Sequence, residues 1–176
     1  RGGEMIAMAS FSVHDAGAGP QDYCLFISSE GEYLVFGGHD PSSSTNWGLV
    51  GRYFGPPPIG RNCALNYGND VLILTLEGAI PFTQIRARRN ANDELSAITS
   101  KLGSFLSDLN VNADTWGWQM LAYARSGMLI LNTPNGSTIA SEYTQFVMNT
   151  TTNAWTTFDG LNGISFVVFN RRLYFG

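Results

Sequence analysis

Gln145-Phe-Val-Met-Asn-Thr-Thr-Thr-Asn-Ala-Trp-Thr-Thr-Phe-Asp-Gly160, followed by Ile164-Ser-Phe-Val-Val-Phe-Asn-Arg-Arg-Leu-Tyr-Phe-Gly176, decides the fold. Residues 146–148 run into a polar turn over 149–153, and residues 155–158 resume an extended pattern. Residues 167–169 and 173–175 then flank Asn170-Arg171-Arg172. Aromatic and β-branched runs bounded by Asn, Thr and Gly are the pattern of successive antiparallel hairpins. The last run needs a partner on its open side, because an edge strand exposes a row of unpaired backbone groups. The chain is therefore expected to be a piece of something larger, or to have its final strand paired elsewhere.

The same rhythm recurs upstream. Asp22-Tyr-Cys-Leu-Phe-Ile-Ser-Ser-Glu30-Gly31 parallels Asp70-Val-Leu-Ile-Leu-Thr-Leu-Glu77-Gly78, with an offset of 48 at the Asp positions and 47 at the Glu positions. An aromatic residue, a polar turn and an apolar run recur at Tyr67, Tyr123 and Phe169. A spacing in the forties with about four short strands per unit suggests propeller blades. A generic antiparallel sandwich or barrel with similar hairpins is the other reading. The expected class is all-β, mainly antiparallel, with one inserted helix and propeller-like blades belonging to a larger propeller. Its expected division is 1–21 as an N-terminal strand or linker, 22–91 as the first blades, 92–110 as an inserted amphipathic helix, and 111–176 as further blades, the last incomplete.

Of 176 residues, 44% are hydrophobic and 12% aromatic, enough for a packed core, while only 14% are charged. So low a charge density leaves much neutral surface, which suits burial against neighbouring subunits. The net charge of −4, with one lysine (Lys101), does not form the basic stripe of a tight nucleic-acid binder. Cys24 and Cys63 lie in apolar segments and read as buried free thiols, although a disulfide is not excluded by sequence. No apolar run reaches the length of a membrane span.

Strands are expected at 5–13, 22–28, 32–37, 47–54, 62–67, 70–75 and 79–85, with a Gly/Pro loop over 14–21 and an extended turn at Gly55-Pro-Pro-Pro-Ile-Gly60. Leu95, Ile98, Leu102, Phe105, Leu106 and Leu109 form one apolar stripe, which predicts a helix over 93–109 with Asn92 as N-cap. Strands resume at 117–124, 128–132, 142–148, 154–158, 164–169 and 173–175. Residues 71–74 and 128–131 are apolar at every position, so both faces of those strands should be buried.

Little in the sequence points to catalysis. His14 and His39 lie in Gly/Pro/Ser segments, and His39, Asp40 and Ser42 are too close in sequence to assemble a triad. Neither histidine has further ligands at metal-site spacing. Glu30, Glu32, Glu77 and Glu142 could supply paired carboxylates for a glycan hydrolase, but Glu30 and Glu77 occupy equivalent turn positions and read as structural. Trp116, Trp118 and Trp155 could form a platform for carbohydrate. No catalytic residue, metal ligand or cofactor is assigned. Arg86, Arg88 and Arg89 form the densest basic cluster and are the candidate subunit or DNA contact.

Several runs carry a resemblance. They are Leu25-Phe-Ile-Ser-Ser-Glu-Gly-Glu-Tyr-Leu-Val-Phe-Gly-Gly-His-Asp-Pro41, Trp47-Gly-Leu-Val-Gly-Arg-Tyr-Phe54, Pro58-Ile-Gly-Arg61, Asp70-Val-Leu-Ile-Leu-Thr-Leu-Glu-Gly-Ala-Ile-Pro81 and the C-terminal hairpins. Together they resemble the β-propeller structural proteins of tailed-phage virions, above all the tail nozzle or tubular tail proteins of short-tailed phages. The likeness covers most of the chain from about residue 22 onward. It implies a homo-hexameric ring on the tail axis, partnered by other tail or adaptor proteins. It also implies assembly in the bacterial cytoplasm, residence in the virion, transient passage of DNA, and no enzymatic activity. A mildly acidic chain suits such a conduit, since every phosphate contact would have to break during ejection.

Overall fold

Antiparallel strands dominate the protein, as the hairpin pattern predicts. The computed structural model describes residues 2–15, 19–90, 93–103, 106, 116–134, 143–158 and 160–176. The chain divides into two compact units, Arg1–Thr99 and Ser100–Gly176. Among the described residues the strands form four sheets.

In the first unit, β1 (Met5–Asp15), β2 (Gly19–Ser28), β3 (Glu32–Gly38) and β4 (Trp47–Phe54) form a meander in chain order. A second sheet follows from β5 (Ala64–Tyr67), β6 (Asp70–Thr75) and β7 (Gly78–Pro81), and a short helix α1 (Phe82–Ala87) closes it. Alternation places Phe11, Leu25, Ile27, Tyr33 and Val35 on one buried face of the meander. Phe82 of α1 fills the centre of that face, with ring centroids 5.4 Å from Phe11, 6.1 Å from Tyr33 and 5.8 Å from Tyr53. Val71, Leu72, Ile73 and Leu74 are all buried, so β6 is covered on both faces as expected. The meander's other face is apolar too: Phe36 lies 5.4 Å from Phe26 and 6.0 Å from Trp47.

In the second unit, β8 (Gln119–Tyr123), β9 (Met128–Pro134), β10 (Tyr143–Asn149) and β11 (Trp155–Phe158) form another four-stranded meander. Leu129, Ile130 and Leu131 are buried on successive positions, again as the uninterrupted apolar run predicts. The β10–β11 turn is built by Asn149, whose Oδ1 accepts the N–H groups of Thr151 and Thr152 at 2.9 and 3.1 Å. Then β12 (Phe166–Phe169) and β13 (Arg172–Phe175) pair as a hairpin. Asn170 and Arg171 turn it with φ of 48° and 60°, the left-handed pair that a two-residue hairpin loop demands. Gln119 joins this hairpin to the meander: its carboxamide donates to the carbonyl of Phe166 and accepts the N–H of Phe166, both at 2.8 Å. Tyr123 adds a bond from its hydroxyl to the Arg171 carbonyl at 3.3 Å. Beneath, Asn132 Nδ2 donates to the carbonyls of Gly117 and Gly163, and Gln145 donates to Asn132 Oδ1 at 2.8 Å.

Three expectations are corrected. The loop expected over 14–21 is largely strand, because β1 reaches Asp15 and β2 begins at Gly19, so cross-strand pairing overrides the Gly/Pro composition. The strand expected over 79–85 ends at Pro81, whose missing N–H and fixed φ suit the start of a helix. Asp70 holds that helix start by accepting the Thr83 hydroxyl at 2.6 Å and the Thr83 N–H at 3.2 Å. The helix expected from Asp93 does not begin there. Residues 93–99 are non-helical, Ser100–Leu102 forms a single 3₁₀ turn, and residues 103 and 106 are helical. The cause is competing bonds: Asp93 Oδ2 accepts the N–H groups of Arg89 and Asn90, Ser96 N–H goes to Gln84 Oε1, and Ile98 N–H goes to the Ala79 carbonyl. Asn92, the expected N-cap, lies outside the described residues. No helix among the described residues is long and apolar enough to cross a membrane.

Candidate functional site

The basic cluster opens onto a cleft in the first unit. Its walls are the end of β4 (Arg52, Phe54), the Gly55-Pro56-Pro57 turn, the β6–β7 turn (Glu77) and the segment after α1 (Arg88, Arg89). The cleft holds about 640 Å³.

Backbone bonding fixes this shape. Gly55 N–H donates to the Gly31 carbonyl at 3.0 Å, and Tyr33 donates its hydroxyl to the Pro56 carbonyl at 2.7 Å. Gly31 sits at φ 73°, and a Cβ there would lie 2.4 Å from the Gly55 carbonyl oxygen, so only glycine allows the approach. Tyr33 is fully buried, and burial, helped by Cys63 and Glu77, pushes its phenol well above the ordinary range. The Tyr33 phenol behind the Pro56 turn is therefore uncharged.

Arg52 is the residue that sequence reasoning missed. It pairs with Glu32 at 2.8 Å and lies 5.0 Å over the Phe54 ring. The Arg52 hydrogen bond, ahead of smaller contributions, holds the Glu32 carboxyl below its usual range. Arg88 donates Nε to the Asn90 carbonyl at 2.9 Å. Asp93 is held below its usual range by the N–H groups of Asn90 and Arg89, with a further contribution from Arg88. Arg86 is exposed on α1 and does not line the cleft. The cleft is thus lined by three guanidiniums and one carboxylate, Glu77, over a proline-rich floor, with Glu32 paired to Arg52 and Asp93 bonded to the backbone of Arg89 and Asn90. Arginine forks in such a setting recognise carboxylate or phosphate oxygens.

The other candidates disperse. Glu30 is exposed in the β2–β3 turn, Glu32 is committed to Arg52, Glu77 borders the cleft, and Glu142 lies outside the described residues. Trp116 is 79% exposed, Trp155 is half-buried, and Trp118 is buried, so Trp118 cannot serve as a carbohydrate platform. His39 is exposed beside the Asp40 turn, where Asp40 Oδ1 accepts the Ser42 hydroxyl and N–H. His14 lies on β1. Among the described residues no group of three or more His, Cys, Asp and Glu could hold a metal ion. Both cysteines are free. No protein-family model matches the chain, and no curated protein matches it.

Proposed function

We propose that the chain is a propeller-type structural component of a tailed-phage virion, placed at the tail nozzle or tube, where copies surround the axis along which DNA leaves. One observation carries this reading: four-stranded antiparallel meanders recur in chain order, as β1 to β4 and again as β8 to β11. Recurrent sheets of four sequential strands are the building unit of propellers. The sequence resemblance, the 14% charge content and the apolar outer face of the first meander support a part that is covered by neighbours. Under this reading the guanidinium cleft, with Arg88 and Arg89, is a contact for an adjoining subunit or for passing DNA, and Arg86 is exposed on α1 outside its lining.

Electron microscopy of the purified assembly tests the proposal. Rings with an axial hole, and co-purification with phage particles, are the expected results. A solitary two-layer body, or turnover of any substrate, overturns it. The exposed Trp116 favours a second reading, a carbohydrate-binding module. A glycan-array signal lost in Trp116→Ala would support that alternative. Glycan hydrolysis abolished by Glu77→Gln or Glu142→Gln would instead make the chain a hydrolase.

A further inference from the structure

The cleft of the first unit has two halves of different chemistry. Cross-strand register sets Arg52 opposite Leu34 and Phe54 opposite Glu32. Alternation puts Arg52 and Phe54 on one face of β4, so the guanidinium lies 5.0 Å over the ring. Phe54 is 42% exposed, and Pro57 is exposed as well. This half is a flat apolar and aromatic surface edged by a delocalised cation. The other half is cationic. Arg88 and Arg89 line it, and the Arg89 side chain has no hydrogen bond or ion pair among the described residues. The backbone donors around both halves are already committed. Pro56 and Pro57 have no N–H, and Gly55 N–H donates to the Gly31 carbonyl. Glu77 N–H donates to the Thr75 hydroxyl, Arg88 N–H to the Gln84 carbonyl, and the N–H groups of Arg89 and Asn90 to Asp93. An anion in this cleft must therefore be held by guanidiniums.

We propose that this cleft binds a nucleotide, with the base on the Phe54–Arg52 surface and the phosphate against Arg88 and Arg89. Bases stack on aromatic rings and on guanidinium planes alike, and arginine forks match phosphate oxygens two at a time. The cleft's 640 Å³ falls within the roughly 300–1,000 Å³ of ligand pockets. Glu77, the single carboxylate of the lining, accepts from an exocyclic amine or a sugar hydroxyl, donors that a bare phosphate lacks. An acidic peptide would satisfy the arginines and make no use of the Phe54 ring, so the ring favours the nucleotide. The nucleotide is either free or an unpaired unit of a single strand; the two share this chemistry. The claim is narrower than a contact with passing DNA, because a base paired within a duplex cannot stack on Phe54. It rests on the cleft and not on the tail reading: a chain that forms no ring can still bind a nucleotide, and a ring can form with the cleft empty.

Calorimetric titration of the whole chain with deoxyadenosine monophosphate tests this. Saturable one-to-one binding is expected, weakening as salt rises. Deoxyadenosine and inorganic phosphate each carry one half of the ligand and should bind roughly tenfold or more weakly. Phe54→Ala should weaken the nucleotide roughly tenfold and leave phosphate binding unchanged. Arg89→Glu should weaken both, while Arg86→Glu, outside the lining, weakens neither. These three residues are exposed, and unfolding midpoints near the parent's verify that each variant folds. Tighter binding of a short single strand of deoxyadenosines than of the mononucleotide assigns the site to a strand, and the reverse order assigns it to a free ligand. No saturable binding at about 1 mM nucleotide overturns the inference. So does phosphate that binds as tightly as the nucleotide, a nucleotide affinity indifferent to Phe54→Ala, or capture of a glutamate-rich peptide or a blunt duplex by a chain that ignores the nucleotide. Rings from a parent chain that binds no nucleotide would reject this site while leaving the tail reading standing.

Discussion

Cys63 is fully buried, and burial pushes its thiol from 9.0 up to about 11. Below pH 9 the thiol is protonated in both folded and unfolded chains, so it lends no pH dependence. Between 9 and 11 the unfolded chain releases a proton that the folded chain retains, and stability falls as pH rises. The expected loss across that window is roughly 2–3 kcal/mol, with Tyr33 acting in the same direction. Urea unfolding from pH 8 upward checks this, and Cys63→Ala should flatten part of the decline. At the hairpin turn, Arg171 sits at φ 60°, a conformation that costs a side-chain-bearing residue about 1 kcal/mol. Arg171→Gly should therefore raise the unfolding midpoint by about that amount, and Arg171→Val should lower it. The turn itself could be read from Asn170-Arg171-Arg172 between apolar runs, because turn chemistry is local. The αL strain on Arg171 could not, since arginine has no preference for positive φ.

Phe82 and Gln119 each hold one element to another. Phe82 touches Phe11, Tyr33 and Tyr53, and Phe82→Ala should cost roughly 3–5 kcal/mol, read as a shifted denaturation midpoint. Gln119→Ala leaves the N–H and carbonyl of Phe166 without their amide partner and should cost about 1–3 kcal/mol. Hydrogen exchange should show the loss as faster exchange at Phe166, with β9 and β10 still protected. The hairpins β2–β3, β6–β7, β10–β11 and β12–β13 were legible because alternation and turn residues sit within a few positions of one another. Residues 79–85 misled because an apolar run serves a strand or a buried helix equally, and the Asp70 carboxylate that starts α1 lies 13 residues from Thr83. Residues 93–99 misled because Leu95 and Ile98 have helical spacing while their backbone is bonded to Gln84, Ala79 and neighbouring residues instead.

Arg52 joins Arg88 and Arg89 in one cleft although 36 residues separate Arg52 from Arg88 in sequence. A one-dimensional reading found the dense run at 86–89 and had no signal for the third guanidinium, which long-range packing delivers. The same packing leaves Arg86 outside, and this makes a test. If the cleft is the contact used in assembly, Arg89→Glu should reduce ring yield while Arg86→Glu leaves it near normal, with both variants unfolding within about 0.5 kcal/mol of the parent. Equal yields from both variants would remove the cleft from assembly. In the second unit, Gln119 stands in for a neighbouring strand. One side-chain amide meets both backbone groups of Phe166, so the β12–β13 hairpin is fixed against the meander at a single point and can pivot about it where a full ladder would hold it along its length.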